Sequence, residues 1–332
     1  MSNGRNVLVT GGAGYIGSHA CKALDEAGFT PITYDNLTTG HEWAVRWGPL
    51  VRGDLLDRHR LDETMRQYRP SAVLHFAAYS SVDESVKQPL KYYTNNVVGT
   101  INLLEAMHQN AVRDIVFSST CATYGNPKTV PLSEDHPQNP INPYGASKLM
   151  IERILTDFSA ASDLRSISLR YFNAAGADPE GELGEEHDIE TRLIPLVLAA
   201  AKGTASDVTI HGTDYATEDG TCIRDYIHVS DLAEAHVLAL NALMKERRSE
   251  SYNLGCGEGF SVREVIQTAR AVTGRTITVV EGPRRPGDPP QLIADATKAR
   301  GELGWQVRYG DLNDIIATAW SWMLKRQPEL SA

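Results

Sequence analysis

The sequence contains few cysteines and no long apolar run, and these two shortages already restrict the class of protein. The four cysteines lie far apart with no C-x-x-C pair among them, which favours free thiols in a reducing compartment over a disulfide framework. The longest apolar run, residues 193–201, is interrupted by a proline and is roughly half the length of about 20 residues that a bilayer span needs. The first residues include no apolar stretch of signal-peptide length. We therefore expect a cytoplasmic protein with no membrane partner.

Positive charge is also scarce. Lysine and arginine total 32 against 42 aspartates and glutamates, for a formal net charge of -10 over 332 residues. Such a surface repels nucleic acid polymers and anionic membranes, so any anionic ligand must be held by locally placed donors. Hydrophobic residues make up 42% of the chain, enough for a large core, which excludes disordered and collagen-like proteins.

Short aliphatic or β-branched runs alternate with helix-period segments through the first half of the chain. We predict strands at residues 6–9, 30–34, 50–52, 72–76, 114–117 and 165–169, separated by amphipathic helices such as 16–27 and 95–109. This alternation predicts a Rossmann-type α/β fold with a doubly wound parallel sheet. Beyond residue 170 the pattern loosens into glycine, proline and charged loops, among them an apparently solvated run at residues 185–188. We predict one domain over residues 1–170, to which a segment near 224–250 returns, and a smaller C-terminal α/β domain over residues 171–332.

A glycine-rich turn follows the first predicted strand and opens a helix. It satisfies G-x-G-x-x-G through Gly12, Gly14 and Gly17, and the longer spacing through Gly11. Glycines there let the backbone approach a pyrophosphate, whose charge is met by the amides and dipole of the helix N-terminus. The pattern alone also fits a plain strand-to-helix turn, but its strand-turn-helix context favours a dinucleotide. The residues of this turn that we assign to the cofactor are Gly11, Gly14, Tyr15, Ile16 and Gly17.

Carboxylates stand at the ends of the next two predicted strands. Asp35 lies eighteen residues after Gly17, where a carboxylate accepts from an adenosine ribose and repels a 2′-phosphate, so NAD is favoured over NADP. Asn36 follows it, and Asp54 with Leu55 offers a second acceptor for the adenine. Each aspartate alone is also a common helix cap or turn residue. The fourth strand closes with small residues that would admit a nicotinamide riboside or simply pack tightly: Phe76, Ala77 and Ala78.

Reactive side chains gather after the fifth strand, which ends in Ser118, Ser119 and Thr120. Tyr144 and Lys148 follow at a spacing that places both on one face of a helix beginning after a proline. The same spacing recurs at residues 124 and 128, but Gly-Asn-Pro intervenes there and predicts a turn.

The chemistry explains why this pair matters. A tyrosine with a pKa of about 10 is a poor base, and a nearby ammonium and a nicotinamide cation stabilise its phenolate. Lowering that pKa by about three units takes about 4 kcal/mol. With Thr120 or Ser119 sharing a hydrogen bond with the substrate hydroxyl, the pair indicates an alcohol-to-ketone site.

These ordered motifs resemble the extended short-chain dehydrogenase/reductase family, and within it the enzymes that epimerise UDP-sugars, over essentially the whole chain. The resemblance implies tightly held NAD in the first domain and a UDP-sugar in the second, with interconversion of UDP-glucose and UDP-galactose through a 4-keto intermediate. Tyr144 is then the catalytic base and acid, Lys148 bonds the nicotinamide ribose, and Thr120 is the hydroxyl partner. Further cofactor contacts implied by the resemblance are Asn95, Ser118 and Tyr171. It also implies a homodimer formed through helices of the first domain.

The resemblance also implies how the substrate is held. Arg224 and Arg285 grip the diphosphate, for which a guanidinium is an apt donor, and Asp288 holds the uridine ribose. The other substrate residues are Asn173 near the phosphates, Leu193 in the uracil pocket, Tyr226, and Leu292 beside the sugar. Arg192 and Ser80 depart from many relatives, which carry asparagine and some of which carry lysine there.

Leu292 occupies a position where hexose-specific relatives carry tyrosine, so we expect room for UDP-N-acetylhexosamines as well. UDP-xylose and UDP-arabinose remain a second possibility. A 4,6-dehydratase would need Asp-Glu after Thr120, where this chain has Cys121-Ala122, and a non-catalytic NAD sensor would have no use for Tyr144 and Lys148. The ten histidines form no H-E-x-x-H or Cys/His cluster, so we expect no metal.

Overall fold

The computed structural model of the protein describes residues 5–187, 189–246, 248–285 and 288–326. Its strands are β1 (Asn6–Thr10), β2 (Thr30–Asp35), β3 (Leu50–Arg52), β4 (Ala72–His75), β5 (Asp114–Ser118), β6 (Arg165–Tyr171), β7 (Asn173–Ala175), β8 (Val208–His211), β9 (Ile223–Arg224), β10 (Tyr226–His228), β11 (Glu250–Leu254), β12 (Phe260–Ser261), β13 (Val279–Gly282) and β14 (Gln291–Leu292). Its helices are α1 (Tyr15–Glu26), α2 (Arg58–Tyr68), α3 (Val82–Lys87), α4 (Pro89–Tyr92), α5 (Gly99–Gln109), α6 (Pro143–Ala161), α7 (Leu193–Lys202), α8 (Val229–Glu246), α9 (Val262–Thr273), α10 (Thr297–Leu303) and α11 (Leu312–Lys325). Short 3₁₀ turns occur at Glu42–Ala44 and Cys121–Thr123, and a π-helical turn at Tyr93–Val98.

Seven parallel strands form the central sheet, in the order β11-β6-β5-β4-β1-β2-β3. The six predicted strands are confirmed, and most of them extend one or two residues further than the sequence indicates. The chain runs outward from β1 to β3 and returns to the other side of β1 at β4. This reversal between β1 and β4 is the switch point at which doubly wound folds bind ligands, beyond the carboxyl ends of the strands.

The sequence did not predict the seventh strand. β11 pairs with β6, and α8, which precedes it, packs on α1. The segment that returns to the sheet is therefore α8 and β11, and it ends at Leu254 rather than near residue 250. β11 begins with the polar residues Glu250 and Ser251, so it presents no aliphatic run that would mark a buried strand.

Two hydrophobic layers cover the sheet. Val7 and Val9 point into a core shared with α1 and α8, whereas Leu8 points into a second core shared with α2, α5 and α6. This alternation follows from the two-residue period of side chains along a strand. Both faces of the sheet are thus buried, and the polar residues that follow each strand are brought together at its carboxyl edge.

A third core lies between α7, α9 and α11 and the strands of the small sheets β7-β10 and β8-β13; β12, β9 and β14 form another small sheet. Cation contacts join this part to the first. The Lys22 ammonium lies 2.9, 2.7 and 3.1 Å from the carboxylates of Asp178, Glu180 and Glu182. No helix in the described part of the chain combines the length and the apolar character needed to cross a membrane.

Candidate active site

The helix that carries Tyr144 and Lys148 begins where the sequence predicts. Asn142 caps α6, its side-chain oxygen accepting from the Gly145 amide at 2.8 Å, and Pro143 fills the first helical position. Tyr144 and Lys148 therefore stand one turn apart on the buried face of α6, 9% and 3% exposed. The turn predicted between residues 124 and 128 is present: Tyr124 follows a 3₁₀ turn and Gly125 adopts φ +68°, so these two residues do not share a helix face.

Burial raises the pKa of Tyr144 well above its ordinary value, and a hydrogen bond with Thr120 and the charge of Arg192 act in the opposite direction. Lys148 is not among the groups that most affect the pKa of Tyr144, so the expected effect of Lys148 together with a bound nicotinamide stays a prediction. The Lys148 ammonium instead donates to the carbonyl of Ser118 at 2.7 Å and lies 4.8 Å from the Phe117 ring. Among the described residues, Thr120 is thus the group that engages the phenol most directly.

Lys148 is itself strongly perturbed. Burial lowers its pKa to about 7, and the charge of Glu152 on the next turn of α6 opposes that decrease. An amine with a pKa close to 7 is only partly protonated at neutral pH, so the neighbouring groups decide how much of it carries the charge.

The three hydroxyls after β5 point in different directions because side chains alternate along an extended chain. Ser118 exchanges a hydrogen bond of 2.8 Å with the phenol of Tyr171. Ser119 donates to Glu152 at 2.5 Å and is completely buried. Thr120 caps the following 3₁₀ turn, accepting from the Ala122 amide at 3.1 Å. Ser119 is therefore engaged by Glu152, whereas the Thr120 hydroxyl acts on the Tyr144 phenol; a hydroxyl relay to the substrate stays a prediction.

The glycine turn fits a pyrophosphate. Gly11 adopts φ +74°, and a Cβ on it would lie 2.6 Å from the amide nitrogen of Ala77; a Cβ on Gly17 would lie 2.1 Å from the Gly11 carbonyl. The first amide to close an α1 bond is that of Ser18, to Gly14 at 2.9 Å, so the amides of the first turn are left to a ligand. In the described part of the chain, the first turn of α1 includes no acidic residue that would compete.

The predicted adenosine end is partly occupied by internal hydrogen bonds. Asp35 accepts from the amides of Ala13 at 3.0 Å and Leu37 at 2.8 Å, and Asn36 donates to Asp54 at 2.8 Å. Each carboxylate oxygen has a second lone pair, so Asp35 can still accept from a ribose. Three residues that we assigned to the cofactor also hold the fold together. The side chain of Leu55 lies in the core, the Phe76 ring packs against the His236 ring, and the Ala77 amide donates to the Thr10 carbonyl at 3.0 Å.

Asn95 lies in the π-helical turn rather than in a regular helix. Its amide donates to Asn96 at 2.9 Å. Asn96, which sequence reasoning missed, is 1% exposed; it binds the backbone of Tyr79 through both amide ends and donates to Ser147 on α6. π-helical turns are frequent at functional sites, but their signal in the sequence is weak, since adjacent asparagines also suit a loop.

On the substrate side, Arg224 and Asp288 are ion-paired with each other, although they were predicted to hold different parts of the ligand. Arg224 also donates to the carbonyl of Ile223 at 2.8 Å, which leaves part of its guanidinium for an anion. Arg285 is exposed, and Pro286 and Gly287 of its motif lie outside the described residues.

The remaining predicted residues surround this pair. Asn173 and Tyr226 are register partners in β7 and β10, and the Asn173 amide donates to the Asp225 carbonyl at 3.0 Å. Leu193 is the first residue of α7. Leu292 packs against the hydrophobic cluster of Tyr124, Leu132, Phe172 and Ala294, against which Cys121 also packs.

Two groups of acidic or histidine side chains could in principle hold a metal ion, one at residues 178, 180 and 182 and one at residues 185, 187 and 190. The ammonium of Lys22 occupies the first. Arg192 contacts Glu185 at 2.9 Å and His187 at 3.0 Å in the second. Glu185 is buried and burial raises its pKa to about 7, so this segment is not the solvated loop that the sequence predicts; Asp188 lies outside the described residues.

Comparison with known proteins identifies a matching family and several similar enzymes. A model of the NAD dependent epimerase/dehydratase family matches residues 7–255. The UDP-glucose 4-epimerase of Rhizobium leguminosarum bv. trifolii is 51% identical over 322 residues, covering 97% of this chain and 98% of that protein. The crystal structure of UDP-glucose 4-epimerase from Brucella ovis in complex with NAD is 53% identical with a TM-score of 0.94, covering 96% and 98%. The UDP-Glc/GlcNAc 4-epimerase from Campylobacter jejuni is 42% identical with a TM-score of 0.85, covering 97% and 100%.

Proposed function

This chain belongs to the NAD-dependent epimerase/dehydratase family, and we propose that it interconverts UDP-glucose and UDP-galactose by inverting the configuration at C4 of the sugar. The observation that carries the proposal is the placement of Tyr144 and Lys148 one turn apart on the buried face of α6, where the Thr120 hydroxyl acts on the Tyr144 phenol. Relatives about 50% identical over nearly the whole chain carry the name of this activity, which supports the same assignment.

The residues present fit NAD as the cofactor. The first-turn amides of α1 would hold its pyrophosphate, Asp35 the adenosine ribose, and Lys148 the nicotinamide ribose. When bound, NAD takes up a hydride from C4 of the sugar and gives it back, so the cofactor ends each turnover unchanged.

The chain's own residues handle the proton and the substrate. Tyr144 accepts the proton of the 4-hydroxyl and returns it to the same oxygen after the 4-keto sugar has turned over. Thr120 holds the phenol and the substrate hydroxyl in line for this transfer. Arg224 and Arg285 bind the diphosphate, so the sugar can rotate about its phosphate linkage without leaving the site.

The test is turnover of UDP-galactose to UDP-glucose by the purified protein and by Tyr144→Phe. The variant should retain NAD and fold normally, but its kcat should fall by about 10²- to 10⁴-fold because the proton acceptor is lost. Tyr252→Phe is the matched control, since this tyrosine is also buried and its hydroxyl also makes a hydrogen bond, donating to Glu302 at 2.9 Å. Near-normal turnover by Tyr144→Phe would refute the assignment.

The diphosphate assignment has its own variant. Arg285→Ala should raise KM for the UDP-sugar and leave kcat nearly unchanged, because an exposed arginine in this position contributes to binding in ground and transition states alike. An effect confined to kcat would contradict the role in binding.

We further propose that N-acetylated UDP-sugars are substrates, on the strength of Leu292. This side chain is smaller than tyrosine and packs against the same hydrophobic cluster as Cys121, the residue after Thr120, so it leaves room near the sugar. A panel of UDP-galactose, UDP-N-acetylgalactosamine and UDP-xylose tests the range. Leu292→Tyr should reduce turnover of the N-acetyl sugar more than that of UDP-galactose; inactivity of the wild type on the N-acetyl sugar removes the idea.

We also propose a cytoplasmic homodimer. All four cysteines lie in the described part of the chain and are unpaired, as suits a reducing compartment. Val98 and Ile101, on the helical segment 93–109, and Met150 on α6 are 45%, 38% and 45% exposed, an apolar surface that a second copy could cover. Sedimentation of the wild type and of Ile101→Glu tests the dimer, which the charged variant should weaken.

A further inference from the structure

A buried ion pair lies directly behind the catalytic residues, and neither the sequence analysis nor the proposed reaction assigns it a role. Glu152 on α6 and Arg170 on β6 have side chains that are each only 8% exposed, and they meet at 2.7 Å. A buried pair of this kind contributes little net stability, since the cost of desolvating both ions offsets their attraction. Its position two helical turns beyond Tyr144 therefore calls for another explanation.

The Glu152 carboxylate gathers donors from three parts of the chain. It accepts from the Arg170 guanidinium through Nε and Nη2, from Gln138 at 3.0 Å, and from Ser119 at 2.5 Å. Ser119 immediately precedes Thr120, the hydroxyl that meets Tyr144. One carboxylate thus fixes the end of β5 against the helix that carries the proposed base.

The network continues on the far side of Arg170. Its Nη1 donates to the phenol of Tyr124 at 3.0 Å, and that phenol donates to Asn253 at 2.7 Å. Asn253 in turn donates to the carbonyl of Leu132 at 2.8 Å. Arg170 and its partners therefore fix Glu152, which cannot shift without disturbing β6, β11 and the loop after β5.

Glu152 also shares one helix face with Lys148, four residues earlier. Glu152 on α6 and His75 on β4 interact electrostatically with Lys148, and Tyr144 lies one turn before it on α6. From β6, Arg170 binds Glu152, and Tyr171 bonds Ser118, whose carbonyl accepts from Lys148. Glu152 is the neighbour whose charge favours the protonated amine, against a burial that lowers the pKa of Lys148 to about 7. Arg170 faces the other side of the carboxylate.

We propose that Glu152 is a positioning residue of the active site: its carboxylate sets the place of Thr120 through Ser119, and its charge keeps Lys148 protonated. This inference rests on the proposed function, because it assumes that Thr120 and Lys148 serve the reaction. It adds a residue that touches neither substrate nor cofactor.

The principal variant is Glu152→Gln, which keeps the shape and removes the charge. KM for UDP-galactose should stay within about threefold, kcat should fall at least tenfold, and the high-pH limb of kcat should move down by about one pH unit. The sign follows from the charge: without the carboxylate, Lys148 loses its proton at a lower pH. Glu152→Asp retains the charge, so the high-pH limb of its kcat profile should lie at the same pH as in the wild type.

Two further variants separate positioning from stability. Glu152→Gln/Arg170→Met removes both charges, so the thermal midpoint should recover, whereas kcat and the pH limb should remain as in the single variant. Ser119→Ala removes only the link to Thr120 and should lower kcat with no change in the limb. Recovery of kcat together with stability in the double variant would overturn the proposal.

The matched control is Asp114→Asn. Asp114 and Arg165 form an ion pair at 2.6 Å between β5 and β6, at the opposite end of these strands from Ser119 and Arg170. Its loss should lower the thermal midpoint and leave kcat and its pH profile unchanged. The same kcat loss in this variant would make Glu152 merely structural.

A second readout needs no turnover. Cyanate carbamylates neutral amines, so the pH dependence of Lys148 labelling, followed by peptide mass spectrometry, reports the charge of Lys148 directly. Labelling should reach half its maximum about one pH unit lower in Glu152→Gln than in the wild type; coincident profiles would overturn the electrostatic role. A wild type that labels as expected but turns over no UDP-sugar would refute the proposed function and not this inference.

Discussion

Replacing His75 with glutamine should alter how the stability of the protein depends on pH, and not only its stability at neutral pH. His75 is 1% exposed, and its two ring nitrogens bond the hydroxyls of Thr10 at 2.7 Å and Thr100 at 2.8 Å. Burial lowers its pKa to about 3, and the charge of Lys148 acts in the same direction. The folded protein therefore keeps this ring neutral at pH values where the unfolded chain protonates it.

The magnitude follows from that difference in proton binding. Below its ordinary pKa of about 6.5, one histidine that is protonated only in the unfolded chain lowers the unfolding free energy by about 1.4 kcal/mol for each pH unit. The stability that neutral His75 contributes is complete above pH 6.5 and is lost as the pH falls towards 3. At pH 4.5 about 3 kcal/mol is lost. Glutamine cannot titrate; it keeps a partner for Thr100 but leaves the Thr10 hydroxyl unsatisfied, at a cost of about 1–3 kcal/mol.

The variant should thus be less stable than the wild type at pH 7.5, and the difference should close by pH 4.5. Urea unfolding followed by tryptophan fluorescence, with NAD in excess, measures both free energies across this range. Other buried groups contribute the same pH dependence to the unfolding free energy of both proteins, so their contributions cancel in the comparison. Among these groups are Glu185 and Asp225, whose pKa values burial raises. His59→Gln is the control, because that side chain is 84% exposed. Parallel pH curves for wild type and His75→Gln would refute the reasoning.

Three further substitutions test other parts of the site. Gly17→Ala places a methyl group 2.1 Å from the Gly11 carbonyl, so purified protein should contain little NAD, whereas Gly301→Ala, with nothing within 4 Å, should retain a full complement. Lys22→Met leaves the buried carboxylate of Asp178 without its cation, whereas Glu182 keeps Arg46 at 2.8 Å; it should cost about 3–5 kcal/mol in urea unfolding at pH 7, with a smaller loss near pH 4, where the carboxylates take up protons. Asn142→Ala removes the cap of α6 and should lower stability by about 1 kcal/mol; an unchanged thermal midpoint would contradict the role of the cap.

Much of the fold could be predicted from the sequence because its signals are local. A buried parallel strand such as β5 reads as a continuous apolar run, and the proline and asparagine before Tyr144 mark the start of a helix. The glycine turn is predictable for the same reason, since its spacing reflects close backbone approach. β11 has no such signal: Glu250 and Ser251 are tolerated at the edge of the sheet, and only pairing with β6 makes the segment a strand.

The parts of the site that escaped prediction depend on contacts between distant segments. Ser119 and Thr120 are adjacent and chemically similar, and the local sequence does not show which of the two hydroxyls lies on the side of Glu152. A signal did exist, because Glu152 lies eight residues after Tyr144 on a face that should be apolar, and Arg170 lies near the end of a central, buried strand. Unpaired, either charge would be costly in a core, so their joint presence could have indicated an ion pair.

The distribution of charge explains how an acidic protein can bind two diphosphates. The cations near the site are each held by carboxylates: Lys22 by three, Arg192 by Glu185, and Arg224 by Asp288. A guanidinium offers five N–H donors in a fixed fork, so a carboxylate that occupies one edge orients the remainder towards a ligand. Anion recognition here therefore depends on oriented donors, the guanidinium edge and the free amides of α1, rather than on net positive potential. Oriented donors accept a small diphosphate and give a nucleic acid polymer no extended surface to follow.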